Sequence, residues 1–186
     1  MLLIRQSEER LKWLDQTGVP VGATHCCTGQ EAVAHKGPVH PGEISLQIGK
    51  AIRLREGSDV TLISTGGMSW TAGEAAEQPA TPGIQTRVLL MHTLKPLDND
   101  AVPAAARETG AVLTLGEHSI VGGVGIAVAE PFAEQIDLKV LFKRLGVPNA
   151  FPPHIGAQDY MLAKHGLSPG AVAQSVADFL KRARRN

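Results

Sequence analysis

The segment "GEHSIVGGVGIAVAE", residues 116–130, combines a Glu-His pair with closely spaced glycines. Glycines between a strand and a helix can bring backbone N–H groups up to an anion at the positive end of the helix. The dinucleotide pattern would need G-x-G-x-x-G, however, and the nucleoside-triphosphate loop would need Lys followed by Ser or Thr, and neither is present. Gly122, Gly123 and Gly125 therefore favour a tight turn with close helix packing over anion binding.

Glu117 and His118 follow a predicted strand, at the end where open parallel sheets usually collect functional groups. His118 is therefore a candidate for proton transfer or for a hydrogen bond between subunits. A polar loop residue that bonds only to nearby backbone groups is the more common role of such a histidine. Both interpretations remain open, and the sequence favours the second.

A second group of reactive side chains lies near the N-terminus and comprises His25, Cys26, Cys27, His35 and His40. Zinc ligands are usually at least two residues apart so that their side chains can converge, whereas "HCC" places three in a row. We therefore predict no metal site. Adjacent cysteines also rarely satisfy disulfide geometry, and two reduced thiols are typical of a cytoplasmic protein.

The segment "HTLKPLD", residues 92–98, precedes a predicted helix. Pro96 should end the hydrogen bonding of the preceding strand, because proline has no backbone N–H group. Asp98 or Asp100 should then accept hydrogen bonds from the first free N–H groups of the helix.

From about residue 43 the chain alternates short apolar runs with helical stretches, which indicates a sheet covered by helices. "VTLIST" and "AVLTL" are almost continuously apolar, so both faces of those strands should be buried. We therefore predict an α/β fold, a three-layer α/β/α domain over residues 43–186 with a mostly parallel five-stranded sheet. The predicted strands are residues 50–54 (an antiparallel edge), 60–65, 86–91, 111–115 and 139–145.

The predicted helices occupy the connections and the C-terminus. Pro131 should interrupt the helix predicted within residues 122–136, because proline inside a helix costs on the order of 3 kcal/mol. Pro103 should be tolerated in a first turn. The other predicted helices are residues 69–78, 100–110, 158–165 closing on Gly166, and a last one starting at Ser168 and Pro169.

Residues 1–42 differ in character. They open with a helical stripe of Ile4, Leu11 and Leu14 and then become rich in Gly, Pro and His. We predict a short helical N-terminal extension that docks loosely.

Charge excludes two classes of partner. Eighteen basic residues balance eighteen acidic ones, so no overall field favours nucleic acid or an anionic membrane. No apolar run approaches the roughly 18 residues that span a bilayer. We expect a soluble cytoplasmic protein.

Five motifs, taken in order, resemble a known domain. "REGSDVTLISTGGM", "GIQTRVLLMHTLKPLD", "AARETGAVLTLGEHSIVGGVGIAVAE", "KRLGVPNAF" and "KHGLSPGAVAQSVADFLKR" resemble the C-terminal domain of transketolase-like thiamine-diphosphate enzymes over about residues 47–185. The pair Glu117-His118 is most similar to split two-subunit transketolases. The resemblance implies that the corner containing Lys95 and Asp98 packs against neighbouring domains, as an alternative to capping alone.

Residues 1–34, with "MLLIRQSEERLKWL" and "GATHCCTGQEAVA", resemble the start of the alpha subunit of thiamine-dependent 2-oxo acid dehydrogenases. In that family the histidine at the position of His25 lies near the cofactor. His25 is therefore a weak candidate for cofactor binding.

The residues that hold the cofactor in these families are missing from the sequence. Thiamine diphosphate is held through Mg²⁺, which prefers oxygen ligands, and the family supplies them from a G-D-G segment followed by Asn-Asn. The chain has no "GDG", and its asparagines are Asn99, Asn149 and Asn186. We therefore expect no catalytic, metal or thiamine site in this chain alone, with thiamine diphosphate and Mg²⁺ bound in an intact assembly.

The resemblance thus implies a structural, dimer-forming component of a transketolase-type enzyme that works with other domains or subunits. A component of a 2-oxo acid dehydrogenase and a noncatalytic interaction module are the alternatives.

Overall fold

The structure is a computed structural model that describes residues 46–78, 82–150 and 156–183. The predicted extension over residues 1–42, including His25, lies outside the described residues. Five strands form one sheet: β1 (Ile52–Arg55), β2 (Val60–Ser64), β3 (Thr86–Leu90), β4 (Ala111–Ser119) and β5 (Leu141–Val147). The helices are α1 (Met68–Glu77), α2 (Ala101–Thr109), α3 (Val124–Ala133), α4 (Gln158–Lys164) and α5 (Pro169–Ala183).

The strand order is β1-β3-β2-β4-β5. β2, β3, β4 and β5 run parallel, whereas β1 pairs antiparallel with β3 at one edge. The predicted mostly parallel five-stranded sheet with an antiparallel edge strand is therefore confirmed.

Helices cover both faces of the sheet. Apolar side chains from α1 and α5 pack on one face in a single buried cluster. Side chains from α2 and α3 form a second buried cluster on the other face. All residues of β2, and β4 from Ala111 to Leu115, are buried, as their continuous apolar runs predicted. The predicted three-layer α/β/α architecture is confirmed.

Glycine and proline residues mark the ends of several helices. Gly110 ends α2 and Gly166 follows α4, and both adopt positive φ angles, of 68° and 71°, which glycine tolerates best. Pro103 lies in the first turn of α2 and Pro169 is the first residue of α5, positions at which proline fits a helix.

Three local predictions were wrong. Pro131 does not interrupt α3, which continues to Ala133, because a proline in the last turn removes only one hydrogen bond from a helix that is about to end. β4 extends four residues beyond the predicted end at Leu115, to Ser119, because Ser119 pairs with Val147 of β5 after an irregularity in the register. β3 ends at Leu90, so Pro96 does not end it.

Among the described residues, no helix is both long and apolar enough to cross a membrane.

Candidate functional site

The predicted site residues of the described chain gather at the edge of the sheet where the parallel strands end. Lys95 and Asp98 lie in the connection after β3, whereas Glu117 and His118 lie at the end of β4. Gly122 and Gly123 lie in the turn that follows, and Gly125 lies in the first turn of α3. β2 stands between β3 and β4, so the two groups start about two strand spacings apart, or roughly 10 Å. The chain passes from β2 to β3 on one side and then crosses to β4 on the other side of β2. In open α/β sheets, ligands usually bind at the carboxyl ends of the strands where the connections change direction in this way.

Asp98 is the most constrained polar residue of this edge, with only 5% of its surface exposed. One carboxylate oxygen accepts hydrogen bonds from the backbone N–H groups of Ala101, at 3.1 Å, and Asp100, at 3.3 Å. The other accepts from the backbone N–H of Ala51 at 2.8 Å. Asp98 is therefore the residue whose side chain caps α2, and Asp100 makes no such bond.

The charge of Asp98 is stabilised in spite of its burial. Burial alone would raise the pKa of Asp98, but the N–H groups of Ala51 and Ala101, the nearby ammonium of Lys50 and the N–H of Asp100 together hold that pKa below its ordinary value. The Lys50 nitrogen lies 3.6 Å from Asp98 and 3.2 Å from Asp100. Its hydrogen bond to Asp100 and the attraction of both carboxylates raise the pKa of Lys50.

Lys95 is exposed, and the bond between Lys95 and Pro96 is cis. The backbone N–H of Gly49 donates to the Thr93 hydroxyl at 2.9 Å, which ties the segment before β1 to the connection that carries Lys95. Sequence reasoning missed this contact and the one between Asp98 and Ala51, because each joins segments more than 40 residues apart.

Glu117 and His118 are successive residues of β4, in the stretch where the register between β4 and β5 is irregular. The Glu117 carboxylate accepts a hydrogen bond from the side-chain amide of Gln158 at 3.2 Å, which links the end of β4 to the start of α4. The His118 side chain is exposed. Among the described residues, the side-chain partner of Glu117 is therefore Gln158 and not His118.

The glycines after β4 permit a tight turn and close packing. Gly122 has a φ angle of 73°, in the region that favours glycine. A Cβ atom on Gly123 would lie 2.7 Å from the carbonyl oxygen of Ser119. A Cβ atom on Gly125 would lie 2.6 Å from the side chain of Arg144 and 2.9 Å from the Thr114 hydroxyl.

Arg144 is a residue of this turn that the sequence analysis did not single out. Its guanidinium donates to the carbonyl oxygen of Ile120 at 2.9 Å, while its aliphatic stem packs over Gly125. Arg144 pairs with Thr114 across β4 and β5. The contact depends on the register between β4 and β5, which a single Arg in a predicted strand does not reveal.

These side chains do not fit a magnesium or diphosphate site. Over the described ranges, no cluster of three His, Cys, Asp or Glu side chains is placed to hold a metal ion. Asp98, the buried carboxylate of this edge, already accepts three backbone hydrogen bonds and faces Lys50. The exposed side chains at this end of the sheet include Lys95 and His118.

Several known proteins are similar to this chain in sequence or in fold. A family model described as "Transketolase, C-terminal domain" matches residues 49–172. The 6-deoxy-6-sulfo-D-fructose transketolase subunit SqwH of Clostridium sp. (strain MSTE9) is 37% identical over 164 residues, covering 82% of this chain and 50% of that protein. The 1-deoxy-D-xylulose-5-phosphate synthase of Desulforudis audaxviator is 40% identical over 142 residues, covering 76% of this chain and 22% of that protein.

A solved structure titled as a split gene transketolase, an inactive beta4 tetramer, superimposes with a TM-score of 0.67 at 36% identity. The superposition covers 78% of this chain and 46% of that one. The chain thus spans half or less of the length of these relatives. Because the family model covers most of the chain, the chain belongs to the transketolase C-terminal domain family.

Proposed function

We propose that this chain is the C-terminal component of a transketolase-type thiamine-diphosphate enzyme, and that it contributes structure and self-association rather than chemistry. The reaction of the intact assembly is transfer of a two-carbon ketol unit between sugar phosphates. Thiamine diphosphate supplies the electron sink for that reaction when it is bound by the assembly. The assembly works in the cytoplasm, in keeping with the two adjacent thiols Cys26 and Cys27.

The proposal is supported by two observations together: the chain belongs to the family, and the polar residues at the carboxyl ends of its strands are engaged in structural contacts. The family model covers residues 49–172, yet the edge residues act as caps, turn formers and contacts between segments. Glu117 is held by Gln158, Asp98 is held by backbone N–H groups, and the His118 side chain is exposed. A domain built in this way depends on other domains to hold Mg²⁺ and the diphosphate.

Two relatives support a role as a subunit that associates with other chains. SqwH is named as a transketolase subunit, and the split-gene transketolase is described as a β4 tetramer, an assembly of like subunits. We propose that this chain likewise associates with copies of itself and with a partner that supplies the cofactor-binding domains.

Calorimetry tests the proposal. Thiamine diphosphate with excess Mg²⁺ is titrated into the full chain, and an intact transketolase serves as the positive control. We expect no saturable heat from the chain alone and saturable binding once a partner carrying "GDG" and Asn-Asn is added. Micromolar binding to the chain alone would overturn the proposal.

The resemblance of residues 1–34 to a 2-oxo acid dehydrogenase alpha subunit concerns residues outside the described ones. A decarboxylase assay on the same mixture distinguishes the two functions. Release of CO₂ from a 2-oxo acid without ketol transfer would favour the dehydrogenase component, and ketol transfer without that release would favour the transketolase.

A further inference from the structure

A cavity of about 610 Å³ opens at the amino ends of β4 and β5, at the end of the sheet opposite to the candidate site. One wall contains Gly110, the residue just before β4, and the other is formed by residues 134–139, which connect α3 to β5. The backbone N–H of Leu141 donates to the carbonyl oxygen of Gly110 at 2.9 Å and holds the two walls together. Sites for small molecules usually have volumes of about 300–1,000 Å³. We call this space the amino-end cavity.

Four charged side chains line the amino-end cavity, two of each sign: Arg107, Glu134, Asp137 and Lys139. All four are exposed, and within the part of the chain that the structure describes none of them makes an ion pair. The Arg107 guanidinium instead donates a hydrogen bond to the side-chain oxygen of Gln135, which also lines the cavity. Charges of both signs are therefore available to a ligand, with no ion pair to be broken first.

Two helices end beside the cavity. α2 ends at Thr109 and α3 ends at Ala133, so the partial negative charges of both helix C-termini lie at this end of the sheet. The last turn of α2 contains Arg107, whose positive charge suits that position. The last turn of α3 has no basic residue, and Glu134 stands at its C-cap, where a carboxylate is unfavourable. A ligand ammonium group beside Glu134 would offset both negative charges.

Apolar side chains complete the lining. Ala106 is buried, and Leu138 is half-buried against the cluster between α2, α3 and the sheet. Ile136 also lines the cavity and has 99% of its surface exposed. Contact between an apolar group of the ligand and Ile136 would remove apolar surface from water, which is favourable.

We propose that the amino-end cavity binds a small zwitterion, an α-amino acid with an apolar side chain. The ammonium group of this ligand lies at the end of α3 beside Glu134. Its carboxylate accepts hydrogen bonds from Arg107, whose planar guanidinium suits a carboxylate, and its side chain contacts Ile136. A ligand with a single charge would satisfy only one sign of the lining. The inference does not rest on the proposed function, because the cavity lies at the other end of the sheet from the candidate site.

Titration of the ¹⁵N-labelled full chain with L-leucine, followed by amide chemical shifts, tests the proposal. We expect saturable shifts at Gly110 and Gln135, with a dissociation constant of about 1 mM or lower. Two analogues separate the charges of leucine. 3-Methylbutylamine keeps the ammonium group and the apolar chain, and 4-methylpentanoate keeps the carboxylate and the apolar chain. Each should bind at least about tenfold more weakly than leucine, because each loses one charged contact.

Two variants test the assigned contacts. Arg107→Gln removes the partner of the ligand carboxylate, and Glu134→Gln removes the negative charge beside the ammonium group. Each should weaken leucine binding at least about tenfold. Arg182→Gln and Glu77→Gln are the matched controls, because they make the same changes at exposed residues in the last turns of α5 and α1. Neither control should change the dissociation constant, and thermal unfolding checks that all four variants are folded.

Three results would overturn the proposal. The first is the lack of any saturable shift at leucine concentrations up to about 10 mM, or saturable shifts confined to residues away from the cavity. The second is binding of either single-charge analogue as tightly as leucine, which would mean that the cavity takes a simple ion. The third is undiminished binding of leucine to folded Arg107→Gln and Glu134→Gln chains.

Discussion

Replacing Asp98 by Asn removes one carboxylate oxygen from the most constrained polar contact of the domain. In the wild-type chain one oxygen accepts hydrogen bonds from the backbone N–H groups of Asp100 and Ala101 at the start of α2. The other oxygen accepts one from the backbone N–H of Ala51 before β1. An Asn side chain has only one oxygen, so it can accept these hydrogen bonds on one side only. Its NH₂ group must then face backbone N–H groups on the other side, donor against donor.

The size of the effect follows from these contacts. A hydrogen bond to a charged group contributes about 1.5–3 kcal/mol, and a buried donor left without an acceptor costs about 1–3 kcal/mol. We therefore expect Asp98→Asn to lower the free energy of unfolding by about 3 kcal/mol, or the melting temperature by roughly 6–12 °C for a chain of this size.

Asp100→Asn is the matched control. It makes the same chemical change two residues away, where 92% of the side chain is exposed. Exposed ion pairs contribute little, so the urea midpoint of this variant should equal that of the wild-type chain within error.

The pKa of Asp98 adds a pH signature. Because that pKa is held below its ordinary value, the carboxylate stabilises the fold fully above the pKa of an unfolded Asp, about 3.9. The stabilisation is lost as the pH falls through the lower pKa of the folded state. The difference in stability between wild type and Asp98→Asn should therefore be constant from about pH 5 to 7 and shrink below about pH 4.

Urea unfolding at several pH values measures this difference. The reasoning fails if Asp98→Asn costs no more than Asp100→Asn. It also fails if the difference between wild type and Asp98→Asn is as large at the lowest accessible pH as at neutral pH.

Two further pairs of substitutions test the packing. Glu108→Gln should lower the free energy of unfolding by about 2 kcal/mol. The reason is that Arg87, whose side chain is 8% exposed, would lose its carboxylate partner. The control is Glu77→Gln, which changes an exposed ion pair and should cause no measurable change in the urea midpoint. Gly123→Ala should cost about 1–3 kcal/mol, because its Cβ would lie 2.7 Å from a backbone oxygen at the end of β4. Gly73→Ala lies inside α1 and has nothing within 4 Å of the new Cβ. It should stabilise the fold by up to about 1 kcal/mol and raise the melting temperature. Equal effects of the two glycine substitutions would contradict the reasoning.

Local chemistry explains why most of the fold could be predicted from the sequence. The apolar run of β2 indicates burial on both faces, and Gly110 and Gly166 mark the ends of α2 and α4 without reference to the rest of the chain. The prediction failed at "GEHS", which continues β4 to Ser119. Of those four residues, Ser119 pairs with Val147 of β5, after an irregularity in the register. Pairing with a distant segment gives a polar stretch no pattern of alternating apolar residues from which a strand could be predicted.

The candidate site was predicted less completely for the same reason. Capping of α2 by Asp98 is a local signal and was foreseen, whereas the hydrogen bond from Ala51 to Asp98 joins residues 47 positions apart. The exposure of Leu46 and Ile48 was not foreseen either. An apolar residue in a sequence predicts burial, and only the packed structure shows which apolar residues are left outside.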